Sequence, residues 1–274
     1  MIKCVMKFLE LLNKTGLISA HRGARSTHPE NTLCALKASL ERCDFMEVDV
    51  QLSSDGVCII MHDDTLERTT NVSELNKYKS RKPYRVCDFT FEELSELDYG
   101  SWFYADDPFG EIKKGNVDLQ NIKPYEPLFS LRDLLIFIKE NQAFVNIEIK
   151  DMRENFSDDE VVSRVLKEVE SMDVKDFILF SSFRHEYLPL CKERMPSVPT
   201  AALVEDKHPD NLLIYLRELN VDAYNLDDEI FDESIVKKLK EAGFCVNVYT
   251  VNDKKRREEL FKMGINGVFS DFLE

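Results

Sequence analysis

The chain has 274 residues, 43% of them apolar, with 36 Lys+Arg against 51 Asp+Glu for a formal net charge of −15. That length suits one large domain or two small ones with a sizeable core, and the acidic balance argues against nucleic acid as a partner, because a phosphate coat needs a basic patch. Seven cysteines, an odd number with no C-x-x-C pair, fit a reducing compartment, and no apolar run approaches a membrane span of roughly 18 residues, so a cytoplasmic protein without stable membrane insertion is expected.

Apolar residues at 2, 5, 6, 9 and 12 recur at helical spacing and predict a helix packed against the body of the domain. Lys3, Lys7 and Glu10 interrupt the stretch and make it a poor signal peptide. From Leu17 onward, short apolar runs at 17–20, 45–50, 144–149, 177–181, 200–204, 223–226, 244–249 and 265–270 read as strands. Helical patterns at 30–42, 130–141, 158–171, 185–194, 209–219, 232–242 and 253–263 separate most of them. Ser130 and Asp232 stand where N-caps belong, and Gly243 and Gly264 where helices stop. Eight strands alternating with helices predict a closed (β/α)8 TIM barrel in the α/β class, one domain over 1–274. An open doubly wound sheet is the rival, but no glycine-rich phosphate fingerprint follows any strand.

Two places interrupt the alternation. Residues 57–61 follow the second strand across Ser53-Ser54-Asp55-Gly56, a hairpin signal. A two-residue turn sets His62 opposite Asp49 and a four-residue loop sets it opposite Glu47; either places it beside an acid on one face. Residues 65–127 lack periodicity yet hold ten of the 28 aromatics, which predicts a small inserted subdomain with its own core, after the second barrel strand.

Reactive residues of a barrel gather at the C-terminal ends of its strands. His21, Arg22 and Gly23 follow the first strand; Glu47 and Asp49 share one face of the second; Asn146, Glu148 and Lys150 share one face of the next. Such groups are costly to bury without a partner, and a structural ion pair such as Glu148 with Arg22 accounts for one of them but not for the set. Glu47, Asp49 and Glu148 offer oxygen ligands only, which suits Mg²⁺ or Ca²⁺ and not zinc. Arg22 and Lys150 would hold an anion beside such a cation. Histidine as a residue type changes charge near neutrality, so of His21 and His62 one can take a proton from a nucleophile while the other gives one to a leaving alkoxide. Cation, anion holders and acid/base pair together describe cleavage of a phosphate ester.

The segments HRGARSTHPENT (21–32), EVDVQLSSDG (47–56), MHDDTLERTTN (61–71) and NIEIK (146–150) resemble the glycerophosphodiester phosphodiesterase family, and the likeness runs from His21 to the end. Phe89-Thr90 through Gly100-Ser101-Trp102 resemble its insertion, Ser182-Phe183 its S-F after a strand and Thr250-Val251-Asn252 its T-V-N. The resemblance implies a TIM barrel that uses a divalent cation to hydrolyse glycerophosphodiesters to sn-glycerol 3-phosphate and an alcohol, by attack of the glycerol 2-hydroxyl through a cyclic phosphate. Carried over motif by motif, His21 and His62 are the acid/base pair and Arg22 a catalytic phosphate contact with Lys150. Glu47, Asp49 and Glu148 become the metal ligands, and Phe183 and Tyr249 substrate contacts. Glu30 and Asn31 read as scaffolding, Asn31 as a cap or loop-closing group. Tyr249 stands where the family commonly has Trp, Phe272 where Pro is common and Cys43 where Gly is usual. Two other readings remain. Trp102, Phe103, Tyr104 and Phe109 could form an apolar lip for the acyl chain of a lysophospholipid, a lysophospholipase D-type activity at the same site. A catalytically silent phosphodiester-binding barrel would lack a histidine or a metal acid, and none is missing.

Overall fold

Eight parallel strands close on themselves. The computed structural model describes residues 7–117, 119 and 124–273, so positions 2, 5 and 6 of the expected first helix and residues 118 and 120–123 of the expected insertion lie outside it. β1 (Leu17–Ala20) pairs with β2 (Phe45–Leu52) on one side and β9 (Gly267–Ser270) on the other. Between them run β4 (Val145–Ile149), β5 (Ile178–Ser182), β6 (Thr200–Val204), β7 (Ala223–Asp227) and β8 (Cys245–Tyr249), each parallel to its neighbours. β3 (Cys58–Ile60) is the exception, antiparallel on β2 at Val50–Leu52. The sheet is the (β/α)8 barrel the alternation predicts.

Outward-facing Val48, Val50, Ile147, Ile149 and Phe180 are fully buried against Leu134, Leu135 and Ile138 of α5 (Leu131–Asn141) and Val161, Val162 and Val165 of α6 (Asp158–Glu170). Each such side chain contributes about 1.5–3 kcal/mol of burial. On the other half of the barrel, Leu188 of α7 (Tyr187–Arg194) and Leu216 of α8 (Leu212–Glu218) share a core with Ala202 and Tyr224. Helix ends follow local chemistry. Ser130 accepts from Asp133 N at the start of α5, and Asp232 from Ser234 and Ile235 N at the start of α9 (Glu233–Glu241). Gly243, at φ 91°, follows α9, and Gly264, at φ 88°, follows α10 (Lys254–Lys262), as expected.

Three local expectations need correction. The cap of α2 (Leu33–Ser39) is Thr32, whose hydroxyl accepts from Ala35 N, and not Asn31, which is turned inward at φ 57°. The β2–β3 loop has neither two nor four residues. Ser53 N bonds Val57 O at 3.0 Å, leaving Ser54, Asp55 and Gly56 as a three-residue loop with Gly56 left-handed at φ 76°, and the Ser53 hydroxyl accepts from Val57 N. That register continues to bring 62 level with Val48, but the pairing ends at Ile60, so His62 reaches the acids from a turn and not across a ladder. Finally, α1 (Phe8–Leu12) buries Phe8, Leu11 and Leu12 and leaves Leu9 38% exposed, so of the two expected apolar positions it contains, 9 and 12, only Leu12 faces inward.

α1 plugs the N-terminal end of the barrel. Phe8, Leu11 and Leu12 pack on the inward residues Leu17, Phe45, Leu179, Ala201 and Phe269. Asn266 Nδ2 donates to Leu12 O at 2.8 Å and Lys14 O at 3.0 Å, tying the plug to the wall. Between β3 and α5, α3 (Phe91–Leu94), α4 (Ser101–Asp106) and three short 3₁₀ turns surround Leu66, Val72, Tyr84, Phe89, Leu94 and Leu97, all buried.

Candidate active site

The opposite, C-terminal end of the barrel is open to a cavity of about 480 Å³. His21, Arg22, Glu47, His62, Glu148, Lys150, Phe183 and Tyr249, drawn from six strands or the turns that follow them, line it, and Asp49 stands buried behind them. The order along β2 explains how: alternation puts Phe45, Glu47 and Asp49 on the inner face, in the apolar plug, the middle and the mouth respectively.

The turn after β1 is strained and specific. Gly23, at φ 82°, lies so close to α2 that a Cβ would stand 2.8 Å from that of Ala35. Arg22 is left-handed at φ 55°, which aims its N–H at Glu47 Oε2, 2.9 Å away. Asn31 Nδ2 donates to Asp49 Oδ2 at 2.8 Å, so the inward turn of Asn31 orients a carboxylate. Arg22 Nε lies 3.5 Å from that same oxygen and makes no hydrogen bond.

Glu47, Asp49 and Glu148 are buried, and one oxygen of each lies within 4.8 Å of the other two. Burial, then repulsion among the three, pushes the carboxyls of Glu47 and Glu148 above their ordinary range. Burial acts on Asp49 in the same sense, but Lys150 and Arg22 outweigh it and hold Asp49 at about 2. Lys150 Nζ stands 2.9 Å from Glu148 Oε1 and 3.6 Å from Asp49 Oδ1, and the latter oxygen accepts no hydrogen bond at all. An oxygen-only donor set, crowded, desolvated and short of hydrogen bonds, fits a hard divalent cation. The ion pair considered from sequence, Glu148 with Arg22, is replaced by Glu148 with Lys150.

Each histidine is gripped from behind. His21 Nδ1 is 2.7 Å from Asp271 Oδ1 and His62 Nδ1 is 2.7 Å from Asp63 Oδ1, so each Nδ1–H donates to its aspartate and Nε2 is left without a protein partner among the described residues. Burial, reinforced by Arg22 and Arg25, lowers the pKa of His21 against the pull of Asp271, which keeps the ring neutral at neutral pH. A second convergence of possible ligands, Glu30, His62 and Asp63, is already filled: Arg68 forks onto both carboxylates.

The far wall is aromatic and acidic. Phe183, 39% exposed, meets Tyr249 edge-on at 6.1 Å, and the Tyr249 hydroxyl donates to Val204 O at 2.5 Å. Glu205 and Asp227, at the ends of β6 and β7, also line the cavity. Sequence reasoning passed over Glu205, Asp227, Asp271, Asp63, Arg25 and Arg68. Their position was a usable signal for three of them, since Glu205, Asp227 and Asp271 are acids at barrel strand ends. The His62-Asp63 pair was a signal as well.

Comparison with known proteins gives the class of a barrel with this mouth. A model of the glycerophosphoryl diester phosphodiesterase family matches residues 21–274. The chain belongs to that family. The glycerophosphodiester phosphodiesterase of Bacillus altitudinis is 31% identical over 261 residues, 93% of this chain and 94% of its own. That of Caldanaerobacter subterraneus subsp. tengcongensis is 30% identical, covering 93% of each. Among solved structures, an Oleispira antarctica phosphodiesterase in complex with its product sn-glycerol-3-phosphate superposes with a TM-score of 0.78 at 26% identity, over 94% of each chain. The enzyme is thus a phosphoric diester hydrolase acting on glycerophosphodiesters.

Proposed function

We propose that this enzyme hydrolyses glycerophosphodiesters to sn-glycerol 3-phosphate and an alcohol, with a divalent cation, Mg²⁺ or Ca²⁺, held by Glu47, Asp49 and Glu148. The observation that carries the reading is the pairing at one mouth of three crowded carboxylates with two histidines, each backed by an aspartate through Nδ1. The cation, when bound, would polarise the phosphoryl oxygens and neutralise their charge. Arg22 and Lys150 anchor the phosphate. One histidine takes the proton of the attacking hydroxyl at Nε2 as the new P–O bond forms. The other gives a proton to the alkoxide as the old P–O bond breaks, and where the attacker is the glycerol 2-hydroxyl, water then opens the cyclic phosphate to the monoester with the two proton-transfer roles exchanged. Phe183 and Tyr249 cover the apolar carbons of the substrate. Residues 65–127 act as one inserted subdomain, whose Trp102 and Phe109 lie over Arg68 and Arg25 at 5.7 and 5.3 Å.

A water-soluble diester is favoured over a lysophospholipid. Phe103 is buried, and none of Trp102, Phe103, Tyr104 and Phe109 lines the cavity, so the cavity wall itself offers an acyl chain no cover from these residues. We place the enzyme in the cytoplasm, where its six described cysteines, all free thiols, are at home, and with no nucleic-acid partner given its charge of −15. No helix among the described residues is long and apolar enough to cross a membrane. Purified protein with Mg²⁺ or Ca²⁺ should release glycerol 3-phosphate from glycerophosphocholine or glycerophosphoethanolamine, faster than it cleaves lysophosphatidylcholine, and a chelator should stop it. Release undiminished by the chelator would refute the cation, and a preference for lysophosphatidylcholine would refute the substrate class.

A further inference from the structure

We propose that Glu30 is a positioning residue shared by the two histidines, holding both imidazoles in register through two arginine arms. The inference rests on the reading of His21 and His62 as the acid/base pair and goes beyond it, because it makes their orientation a joint property.

Glu30 sits in the loop before α2 with a side chain only 4% exposed, and three arginines converge on it. Arg22 Nη1 donates to Oε1 at 2.9 Å and Arg25 Nη2 to Oε2 at 2.9 Å. Arg68 forks across both oxygens, at 2.6 and 3.1 Å. The arms then diverge. Arg25 Nη1 reaches Asp271 Oδ1 at 3.2 Å, the same oxygen that receives His21 Nδ1, and lies 3.3 Å from that nitrogen. Arg68 makes a second fork onto Asp63, 2.6 Å from Nε and 2.8 Å from Nη2, and Asp63 receives His62 Nδ1. One unbroken path therefore runs from imidazole to imidazole: His21, Asp271, Arg25, Glu30, Arg68, Asp63, His62.

The path joins segments far apart in sequence, 21–31, 62–68 and 271, which meet only when the barrel closes. Arg22, off the path, is the third guanidinium on Glu30, so removing this carboxylate leaves three guanidinium groups around one uncompensated position. The geometry also distinguishes the path from an ordinary structural cluster. Besides Glu30, each arginine turns to an acid of the site: Arg22 to Asp49, Arg25 to Asp271, Arg68 to Asp63. Proton transfer tolerates little misplacement of Nε2, and outer-shell partners that orient a metal-ligating imidazole, the nearest measured analogue, are typically worth about 10- to 100-fold.

The test uses full-length protein labelled with ¹⁵N-histidine, in which H21A and H62A identify the signals of these two imidazoles among the five, together with steady-state release of glycerol 3-phosphate. R25M should shift the ring nitrogens of His21 alone, R68M those of His62 alone, and E30Q those of both. E30Q should lower kcat by about 10- to 100-fold with little change in KM. Unmoved imidazole signals in E30Q would overturn the proposal. So would a raised KM at unchanged kcat, which would mean that Glu30 acts on substrate through Arg22. Should E30Q not fold, R25M and R68M decide: separate shifts uphold the two arms, and shifts of both rings in each variant overturn them. Full activity of H21A and H62A would instead sink the acid/base reading, whatever the imidazole signals show.

Discussion

The two ends of this barrel use the same inward positions for opposite purposes. At the N-terminal end, Phe45, Leu179, Ala201, Ala223 and Phe269 meet Phe8, Leu11 and Leu12 of α1 in an apolar plug. Two and four residues further along β2, the inner face carries Glu47 and Asp49, buried among like charges. Apolar burial stabilises the first end, whereas desolvation and repulsion make the second a site that a cation and an anion can satisfy. Fold and function are thus separated along the barrel axis, and single substitutions at the two ends should have separable effects.

The largest expected effect is at the mouth. H62A removes one member of the proposed acid/base pair and should cost about 10²- to 10⁴-fold in kcat while leaving the unfolding midpoint in denaturant near that of the parent. At the plug, F45A should lower stability by about 3–5 kcal/mol and leave kcat of the folded enzyme unchanged. Denaturant melts and steady-state kinetics on both variants check this together. A destabilised H62A with intact turnover, or a stable F45A with lost turnover, would break the comparison.

Much of this division is legible in the amino-acid sequence. Strand-helix alternation specifies the barrel, and the spacing of Glu47 with Asp49, and of Asn146, Glu148 and Lys150, puts each set on one face. What stays hidden depends on closure. Asp271 reaches His21 across 250 positions because β9 pairs with β1, and Arg68 reaches Glu30 across 38, so no local pattern could show either contact. Short-range misreadings have local causes. The Ser53 hydroxyl closes a three-residue loop that the Asp55-Gly56 signal alone does not distinguish, and the side chain of Asn31 is committed to Asp49, which passes the cap to Thr32.

A smaller effect sharpens the contrast within the mouth itself. Burial works against the charged forms of Glu30, Asp63 and Asp271, but arginine and histidine partners hold all three below the ordinary carboxylate range, Asp271 at about 2. Their stabilisation is complete above about pH 5, where unfolded carboxylates are ionised, and is lost as pH falls toward the folded values. Glu47 and Glu148 have the opposite sign: their raised values favour the folded state when protonated and oppose it as pH rises. Melts between pH 7 and pH 3 should show a decline in the parent that is shallower in D271N, by roughly 1 kcal/mol over that range. An equally steep decline in D271N would remove Asp271 from this balance.

The central claim is that crowded carboxylates at the open end exist to hold a cation. A crystal structure of active enzyme grown with Ca²⁺ or Mg²⁺ tests it most directly. The expected result is one ion bonded to oxygens of Glu47, Asp49 and Glu148 at about 2.0–2.6 Å. An active enzyme with its ion bound elsewhere, or with none between these three residues at saturating cation, would contradict it.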